Sequence, residues 1–328
     1  MKRWQKNLLK LAFIVACFAI IFSKIHPSEL KQHFAEVAPG WVLAAWLTVL
    51  AEPMLVAVKW NLLLREKGIN LGLLRIARIV FTSNFLSVAV PVSVGADALR
   101  LMMVTGAQQS FTHAAGALVA DRILGALAIM VLSLIGVAWA GLALLGAQTL
   151  WSILILAAIV LTLIGVLLSP LPVFWVPLLK RRLDGRGKFA VRLVAVAERA
   201  VAVHDSLTSF RHHPAQLVRV FSLNLLAQVL RVLQIVLLFR AVGHPVPLSQ
   251  AAAFVPIINM FTLLPISYFG LGVKEGAFLY FFGRAGLAKA LCLTVSFITY
   301  PLILGAMLPG ACFALLDALK RPAAAPPP

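Results

Sequence analysis

Four acidic side chains lie within or beside apolar segments of this sequence, and each has a basic residue close to it along the chain. They belong to a total of only eleven Asp and Glu residues: Glu52, Asp97, Asp121 and Glu275. A charge at membrane depth costs about 3 kcal/mol or more, so such a residue usually faces a polar cavity or an opposite charge. The nearby cations are Lys59, Arg100, Arg122 and Lys274. These groups could form local ion pairs that hold helices together, or line a site for a charged ligand.

Two apolar segments almost half the chain apart are interrupted by the same residue types. Residues 84–100 read NFLSVAVPVSVGADALR, and residues 259–277 read NMFTLLPISYFGLGVKEGA. In each, an apolar run is followed by Pro-x-Ser, then glycine, then charge. Interrupted segments at corresponding places in two halves of a membrane protein indicate a substrate site built from broken helices near the bilayer midplane. Proline and glycine end helices, so we predict these hinges: Pro91, Gly95, Pro265, Gly270 and Gly272.

The chemistry that these breaks favour is anion binding. The N-terminus of a half-helix exposes unpaired N–H groups and a partial positive charge, which suits a phosphate or a carboxylate. On one helical face Asn224 and Gln228 precede Arg231 at spacings of four and three, a polar stripe that should point inward. The predicted substrate-binding residues are Glu52, Asn84, Ser93, Asp97, Arg100, Asp121, Arg122, Arg231, Asn259, Ser267, Lys274 and Glu275. We predict no metal site, no cofactor and no catalytic residue. The sequence contains no G-x-x-x-x-G-K-[ST] phosphate loop, so it does not indicate that ATP hydrolysis drives the activity.

The composition indicates that the helices carrying these residues lie in a lipid bilayer. Hydrophobic residues make up 62% of the chain and charged residues 12%, which is typical of a protein in a bilayer. The formal net charge of +18 could indicate nucleic acid as a partner in a soluble protein. Here the cations gather in short segments between apolar runs, as membrane topology requires, so no nucleic-acid partner is expected.

A spanning helix needs about 20 mainly apolar residues. This criterion predicts six full transmembrane helices: 9–25, 41–62, 114–141, 150–169, 215–241 and 286–316. Two further segments, 72–95 and 250–270, are long enough to cross but contain Pro, Gly, Ser and Asn. The fold class is therefore all-α and polytopic.

Loop charge predicts how the two interrupted segments are arranged. If 72–95 crossed the bilayer, the segment 178–213, with eight Lys or Arg against three acids, would lie outside and violate the positive-inside rule. If 72–95 is a re-entrant hairpin, that loop is cytoplasmic, and the uncharged loops 141–149 and 243–250 lie outside. The same reasoning makes 250–283 a hairpin entering from the opposite face, which gives an inverted repeat. Eight plain transmembrane helices are the alternative.

The domain prediction is a single membrane domain, residues 1–320, with halves 1–170 and 215–320 joined by the basic loop 178–213. Within that loop, apolar residues recur at spacings of four and three from Phe189 to Phe210, which predicts an amphipathic helix. It could lie on the cytoplasmic lipid surface or pack on the protein's own helices. The Pro- and Ala-rich tail 321–328 is predicted to be disordered. Both termini are predicted to be cytoplasmic.

Three motifs together resemble the flippase-like transmembrane domain of lysylphosphatidylglycerol synthases and its stand-alone relatives. They are Pro91-x-Ser-x-Gly-Ala-Asp-x-x-Arg100, Asp121-Arg122-x-x-Gly125 and Pro265-x-Ser-x-x-Gly-x-Gly-x-x-Glu275. The first departs from the family pattern, with Gly95-Ala96-Asp97 where Gly-Gly-Asp is expected. The resemblance covers nearly the whole chain, but not the synthase's soluble aminoacyl-transferase domain. It implies a bacterial plasma-membrane protein that moves a lipid headgroup between leaflets or handles a lipid-linked intermediate.

The functional prediction is a lipid flippase or transporter rather than an enzyme. A phosphate-bearing headgroup would pass through a polar groove between the hairpins, with an anionic phospholipid or lipid-linked intermediate as partner. Two alternatives stay open: a membrane enzyme, such as a glycosyltransferase, acting on polyprenyl-phosphate-linked sugars, and an accessory membrane subunit. The sequence also leaves open whether the protein forms a homo-oligomer.

Overall fold

A computed structural model of the chain describes residues 34–88, 95–105, 111–141, 188–262 and 270–320, with isolated positions between 154 and 182. The regular structure of these residues is entirely helical, which confirms the all-α fold class. The nine α-helices are α1 (Pro39–Glu66), α2 (Leu73–Ser87), α3 (Gly95–Thr105), α4 (Phe111–Ala140), α5 (Lys188–Thr208), α6 (Pro214–Ala241), α7 (Leu248–Thr262), α8 (Val273–Arg284) and α9 (Lys289–Lys320). A 3₁₀ turn, Ser209–His212, joins α5 to α6.

Four of these helices, α1, α4, α6 and α9, are long and apolar enough to cross a membrane. Each has at least 28 residues, and 28 residues at 1.5 Å rise extend about 42 Å, more than the roughly 30 Å hydrocarbon core. They confirm four predicted spans: 41–62, 114–141, 215–241 and 286–316. The predicted span 9–25 lies outside the described residues, as does most of 150–169. The chain is thus a polytopic α-helical membrane protein.

The two interrupted segments form pairs of short helices. α2 and α7 have 15 residues each, α3 has 11 and α8 has 12. The longest of them extends only about 22 Å, less than the hydrocarbon core. α2 packs against α3, and α7 packs against α8. Pro91 and Pro265, predicted as hinges, lie outside the described residues, whereas Gly270 and Gly272 adopt left-handed backbone conformations with φ of 75° and 83° immediately before α8.

The helix contacts repeat between the two halves of the described chain. α1 packs against α2 as α6 packs against α7, and α3 packs against α4 as α8 packs against α9. Across the halves, α2 packs against α9 as α7 packs against α4. Exchanging α1–α4 with α6–α9 therefore maps the packing onto itself.

The equivalent helices α1 and α6 run in opposite directions. At one end, the Ala38 N–H donates to the Ala241 carbonyl over 2.8 Å. At the other end, Glu66 Oε2 lies 3.2 Å from His213 Nδ1. Because the start of α1 meets the end of α6 and the end of α1 meets the start of α6, the two halves form an inverted repeat.

One glycine in each half lets a long helix contact a short one backbone to backbone. A Cβ added to Gly136 of α4 would overlap the main chain of Ala252 and Ala253 in α7. A Cβ added to Gly310 of α9 would overlap the Phe81 carbonyl in α2. Glycine at these two positions permits the close approach of each broken-helix pair to the opposite half.

The amphipathic helix predicted in the basic loop is α5, and its C-terminal end packs on the protein rather than on lipid alone. Leu207 and Phe210 are buried, and Ser206 occupies the space beside Gly116 of α4. Lys67, just beyond the end of α1, donates to the Ser206 carbonyl and lies 4.1 Å from the Phe210 ring centroid. Partial burial lowers the pKa of the Lys67 ammonium below its usual value.

Candidate functional site

A cavity of about 390 Å³ lies where eight of the nine described α-helices meet, with only α5 not contributing. Its apolar lining comes from the spanning helices and from α3, α7 and α8, and includes Val49, Ile129, Ile235 and Val255. Its polar lining includes seven of the predicted site residues: Glu52, Asn84, Arg100, Arg122, Arg231, Asn259 and Lys274. The structure thus brings together residues from both interrupted segments and from the helices between them.

One carboxylate, Asp97 in the first interrupted segment, holds a pair of arginines. Arg100 contacts Asp97 over 3.3 Å and donates to Asn84 Oδ1 over 2.6 Å and to Ser83 Oγ over 3.2 Å. Arg122 of α4 forms an ion pair with the other oxygen of Asp97. The Arg100 side chain is 9% exposed, whereas that of Arg122 is 54% exposed. Arg100 is therefore fixed by its neighbours, and Arg122 is the more accessible cation.

A second ion pair joins the two halves of the repeat across the cavity wall. Glu52 in the middle of α1 accepts a hydrogen bond from the Arg231 guanidinium of α6. Both side chains are about one third exposed. Arg231 completes the predicted polar stripe of α6, in which Asn224 and Gln228 are each 4% exposed. The prediction that this stripe points inward is confirmed.

Asp121 does not line the cavity but belongs to a polar cluster between α1, α4 and α6. Its Oδ1 lies 3.0 Å from Lys59 Nζ. Asn224 accepts from Lys59 over 2.6 Å and donates to Asp121 over 3.1 Å. A Cβ at Gly125 would lie 3.3 Å from the Asn224 oxygen, so this glycine of the Asp-Arg-x-x-Gly motif makes room for the cluster. The local pairs that the sequence allowed, Asp121 with Arg122 and Glu52 with Lys59, do not form, because these charges have partners on other helices.

Lys274 and Glu275 also do not pair with each other but point to different partners. Glu275 is fully buried and accepts from the Gly272 N–H over 2.6 Å, which caps the N-terminus of α8. Its other oxygen accepts from Tyr300 over 2.7 Å and from Ser296 over 3.2 Å. Glu275 therefore holds α8 against α9.

The Lys274 ammonium lines the cavity. It donates to Thr299 Oγ1 and lies 4.9 Å from the centroid of the Tyr300 ring. Among the described residues, no carboxylate oxygen lies within 4.0 Å of Lys274 Nζ. Its contacts are instead the Thr299 hydroxyl and the π face of Tyr300.

Sequence reasoning did not identify Ser83, Thr299 and Tyr300 as part of the site. One signal was present, since Tyr300 is one of only three tyrosines and sits inside a long apolar segment. Ser93 and Ser267 lie outside the described residues. Gly95 is the first residue of α3. Within the part of the chain that the structure describes, no cluster of three His, Cys, Asp or Glu side chains could hold a metal ion.

These features define a class: an α-helical membrane protein with an inverted repeat and a cation-rich cavity beside two pairs of short helices. The chain belongs to the family described as the lysylphosphatidylglycerol synthase TM region, whose model matches residues 7–306. The match confirms the resemblance found in the three motifs and associates the protein with lipid handling in membranes. A search of curated proteins found no significant match.

Proposed function

We propose that the protein is a lipid flippase or transporter that moves a phosphate-bearing lipid headgroup across the bilayer through the central cavity. The observation that carries this proposal is the cavity lining, in which four cations from both halves of an inverted repeat face a space of about 390 Å³. That volume lies within the range of about 300–1,000 Å³ common for small-molecule sites. The cations are Arg100, Arg122, Arg231 and Lys274.

The cavity offers what an ionised headgroup needs inside a membrane. An unpaired phosphate in hydrocarbon would cost several kcal/mol or far more, so transfer requires cations and hydrogen-bond donors along the path. Here Asp97 forms ion pairs with Arg100 and Arg122, and Glu52 forms one with Arg231. When a headgroup enters, its phosphate replaces these carboxylates in part, so the three arginines are never left without an anion.

The interrupted segments act in this proposal as two re-entrant hairpins that enter from opposite faces. Their described helices are shorter than the hydrocarbon core, and each pair packs against the long helix of the other half through Gly136 or Gly310. Rocking of one half against the other around the cavity would then open it to each face alternately.

The setting of this activity is the bacterial plasma membrane, with both termini in the cytoplasm. The end of α1 and the start of α6 lie on the same face of the bundle, as the contact between Glu66 and His213 shows. Both regions are rich in cations: Arg65, Lys67, Arg75, Arg78, Arg211 and Arg219. By the positive-inside rule, this concentration of cations supports a cytoplasmic location for this face.

A proteoliposome assay tests the proposal. Headgroup-labelled phosphatidylglycerol is bleached from outside, and loss of the inner-leaflet signal reports translocation. We expect faster loss with the wild-type protein than with empty liposomes, and a loss of most of this gain in Arg122→Gln. Arg219→Gln is the matched control, because Arg219 is exposed and lies outside the cavity. Equal rates for wild type and empty liposomes with phosphatidylglycerol and with a labelled phosphatidic acid would overturn the transport proposal.

The enzyme alternative is tested with the same vesicles. A membrane enzyme acting on polyprenyl-phosphate-linked sugars would change the mass of a supplied lipid, whereas a transporter returns it unchanged. We expect mass spectrometry of the extracted lipids to show no new headgroup after incubation with a polyprenyl phosphate and a sugar donor. A new glycosylated lipid that requires the protein would replace the transport proposal with the enzymatic one.

A further inference from the structure

We infer that the cavity selects a lipid whose headgroup is a phosphomonoester, and disfavours phosphodiester headgroups and those that carry an ammonium group. The inference rests on the proposed function in that it assigns the substrate class of the same cavity. It depends on the charge balance of the cavity and on two donors, Lys274 and Asn259, whose hydrogen-bonding capacity is not fully used among the described residues.

The charge balance leaves the cavity cationic. Four cations line it, and the carboxylates that contact them are Glu52, on Arg231, and Asp97, on Arg100 and Arg122. Among the described residues, two positive charges are thus in excess of the carboxylates that touch them. Glu275 adds a negative charge next to Lys274 in the chain but forms no ion pair with a cavity cation, because its two oxygens accept from Gly272, Ser296 and Tyr300.

One of the two excess charges lies at the α8 side of the cavity, and the other belongs to Arg100 and Arg122, which share the carboxylate of Asp97. Lys274 is 9% exposed, and its ammonium contacts a hydroxyl and an aromatic face rather than a carboxylate. A buried ammonium without a counter-ion is costly, and an anionic ligand removes that cost.

An unsatisfied amide lies in the same cavity. The side-chain nitrogen of Asn259 is buried and has no hydrogen-bond partner among the described residues. Its counterpart in the first half, Asn84, accepts from Arg100. A buried donor without an acceptor costs about 1–3 kcal/mol, which a ligand oxygen would recover. Lys274 therefore offers one cation to a ligand, and rotation of the Asn259 amide towards the cavity would add one N–H donor to the same ligand.

A phosphomonoester fits this arrangement best. It carries a charge of about −1.5 to −2 at pH 7 and three terminal oxygens. A phosphodiester has a single negative charge and two such oxygens. A headgroup with an added ammonium would bring a further positive charge beside Lys274, while Glu52 and Asp97, the described carboxylates that contact the cavity cations, already pair with arginines.

The experiment compares headgroups in one preparation. The purified protein in phosphatidylcholine vesicles is assayed for translocation of phosphatidic acid, phosphatidylglycerol and an aminoacylated phosphatidylglycerol, each labelled on an acyl chain so that the headgroup is unchanged. We expect phosphatidic acid to be transferred about tenfold faster than phosphatidylglycerol, since one additional charge-assisted contact corresponds to about that factor. The aminoacylated lipid should be transferred most slowly.

A lysine variant connects the preference to the cavity. Lys274→Met should reduce the ratio of phosphatidic acid to phosphatidylglycerol transfer to about one to threefold, while Lys274→Arg should preserve most of it. Lys289→Met is the matched control, because Lys289 is exposed and lies outside the cavity. The wild-type ratio alone tests the inference if Lys274→Met does not fold.

The outcomes separate the two proposals. Transfer of all three lipids at similar rates would overturn the headgroup inference and keep the transport function. Selective binding of phosphatidic acid to the detergent-purified protein, without translocation of any lipid, would overturn transport and keep the headgroup inference. Inorganic phosphate is included as a competitor: if it displaces phosphatidic acid at comparable concentration, the ligand is free phosphate and the lipid inference fails.

Discussion

Lys59 and Asp121 lie 62 positions apart in the chain and face each other inside the bundle, with 3.0 Å between Nζ and Oδ1. Their side chains are only 6% and 11% exposed. Asn224 bridges them from the opposite half of the repeat. This cluster connects α1, α4 and α6 beside the cavity, so its charges contribute to the assembly of the spanning helices.

Removing one member of this pair should be more harmful than removing both. Lys59→Met leaves a buried carboxylate without its cation, which we expect to cost about 3–5 kcal/mol of unfolding free energy. The double variant Lys59→Met/Asp121→Leu should recover at least half of that loss. Thermal unfolding in detergent measures the double-mutant cycle, and strictly additive effects would contradict the predicted coupling.

An exposed ion pair should behave differently. Arg78 of α2 pairs with Asp317 of α9, and their side chains are 34% and 51% exposed. Water screens such a pair, so we expect Asp317→Asn to change the unfolding free energy by less than about 1 kcal/mol. The same detergent unfolding assay compares it directly with Lys59→Met, and an equal loss for both would show that burial does not decide the effect.

The backbone contacts at Gly136 and Gly310 predict a stability loss on adding one methyl group. We expect Gly136→Ala and Gly310→Ala each to destabilise the protein by about 1–3 kcal/mol, because the new Cβ overlaps main-chain atoms. Gly276→Ala in α8 is the control, because a Cβ there meets no atom within 4 Å. Alanine should be neutral or stabilise by up to about 1 kcal/mol at that position. Unchanged melting of the first two variants would contradict the close approach.

The hydrogen bond between Tyr300 and Glu275 predicts an asymmetry between two tyrosines. Tyr300→Phe removes a donor to a buried carboxylate and should cost about 1.5–3 kcal/mol of stability. Tyr280→Phe removes the acceptor of an exposed hydrogen bond from Arg284 and should cost less than about 1 kcal/mol. Unfolding of both variants in one detergent tests this difference. A larger loss of stability in Tyr280→Phe than in Tyr300→Phe would contradict the role assigned to Glu275.

The proposed orientation predicts the labelling of introduced cysteines. In a variant whose three native cysteines are replaced, a cysteine at His244 should react with a membrane-impermeant maleimide added outside intact cells. A cysteine at His212 should react only after the membrane is permeabilised. Both positions are exposed on the protein, so accessibility to the reagent reports the side of the membrane. The opposite pattern would place both termini outside.

The sequence by itself determined the four described spanning helices and the positions at which two other segments break. These features are local. Helix length and hydropathy depend on residues that are neighbours in the chain, and glycine and proline interrupt a helix at their own positions. The ion pair between Asp97 and Arg100 could also be predicted from the sequence, because residues three apart share a helix face.

The tertiary structure alone decided the partners of the other charges. Asp121 and Arg122, like Lys274 and Glu275, are adjacent on a helix and so point about 100° apart. Glu52 and Lys59 share a face, yet seven residues correspond to about 10.5 Å, too far for an ion pair. Their actual partners, Arg231 and Asp121, come from other helices. Burial requires that each of these charges be compensated, but only the packing of the inverted repeat brings distant residues close enough to do so.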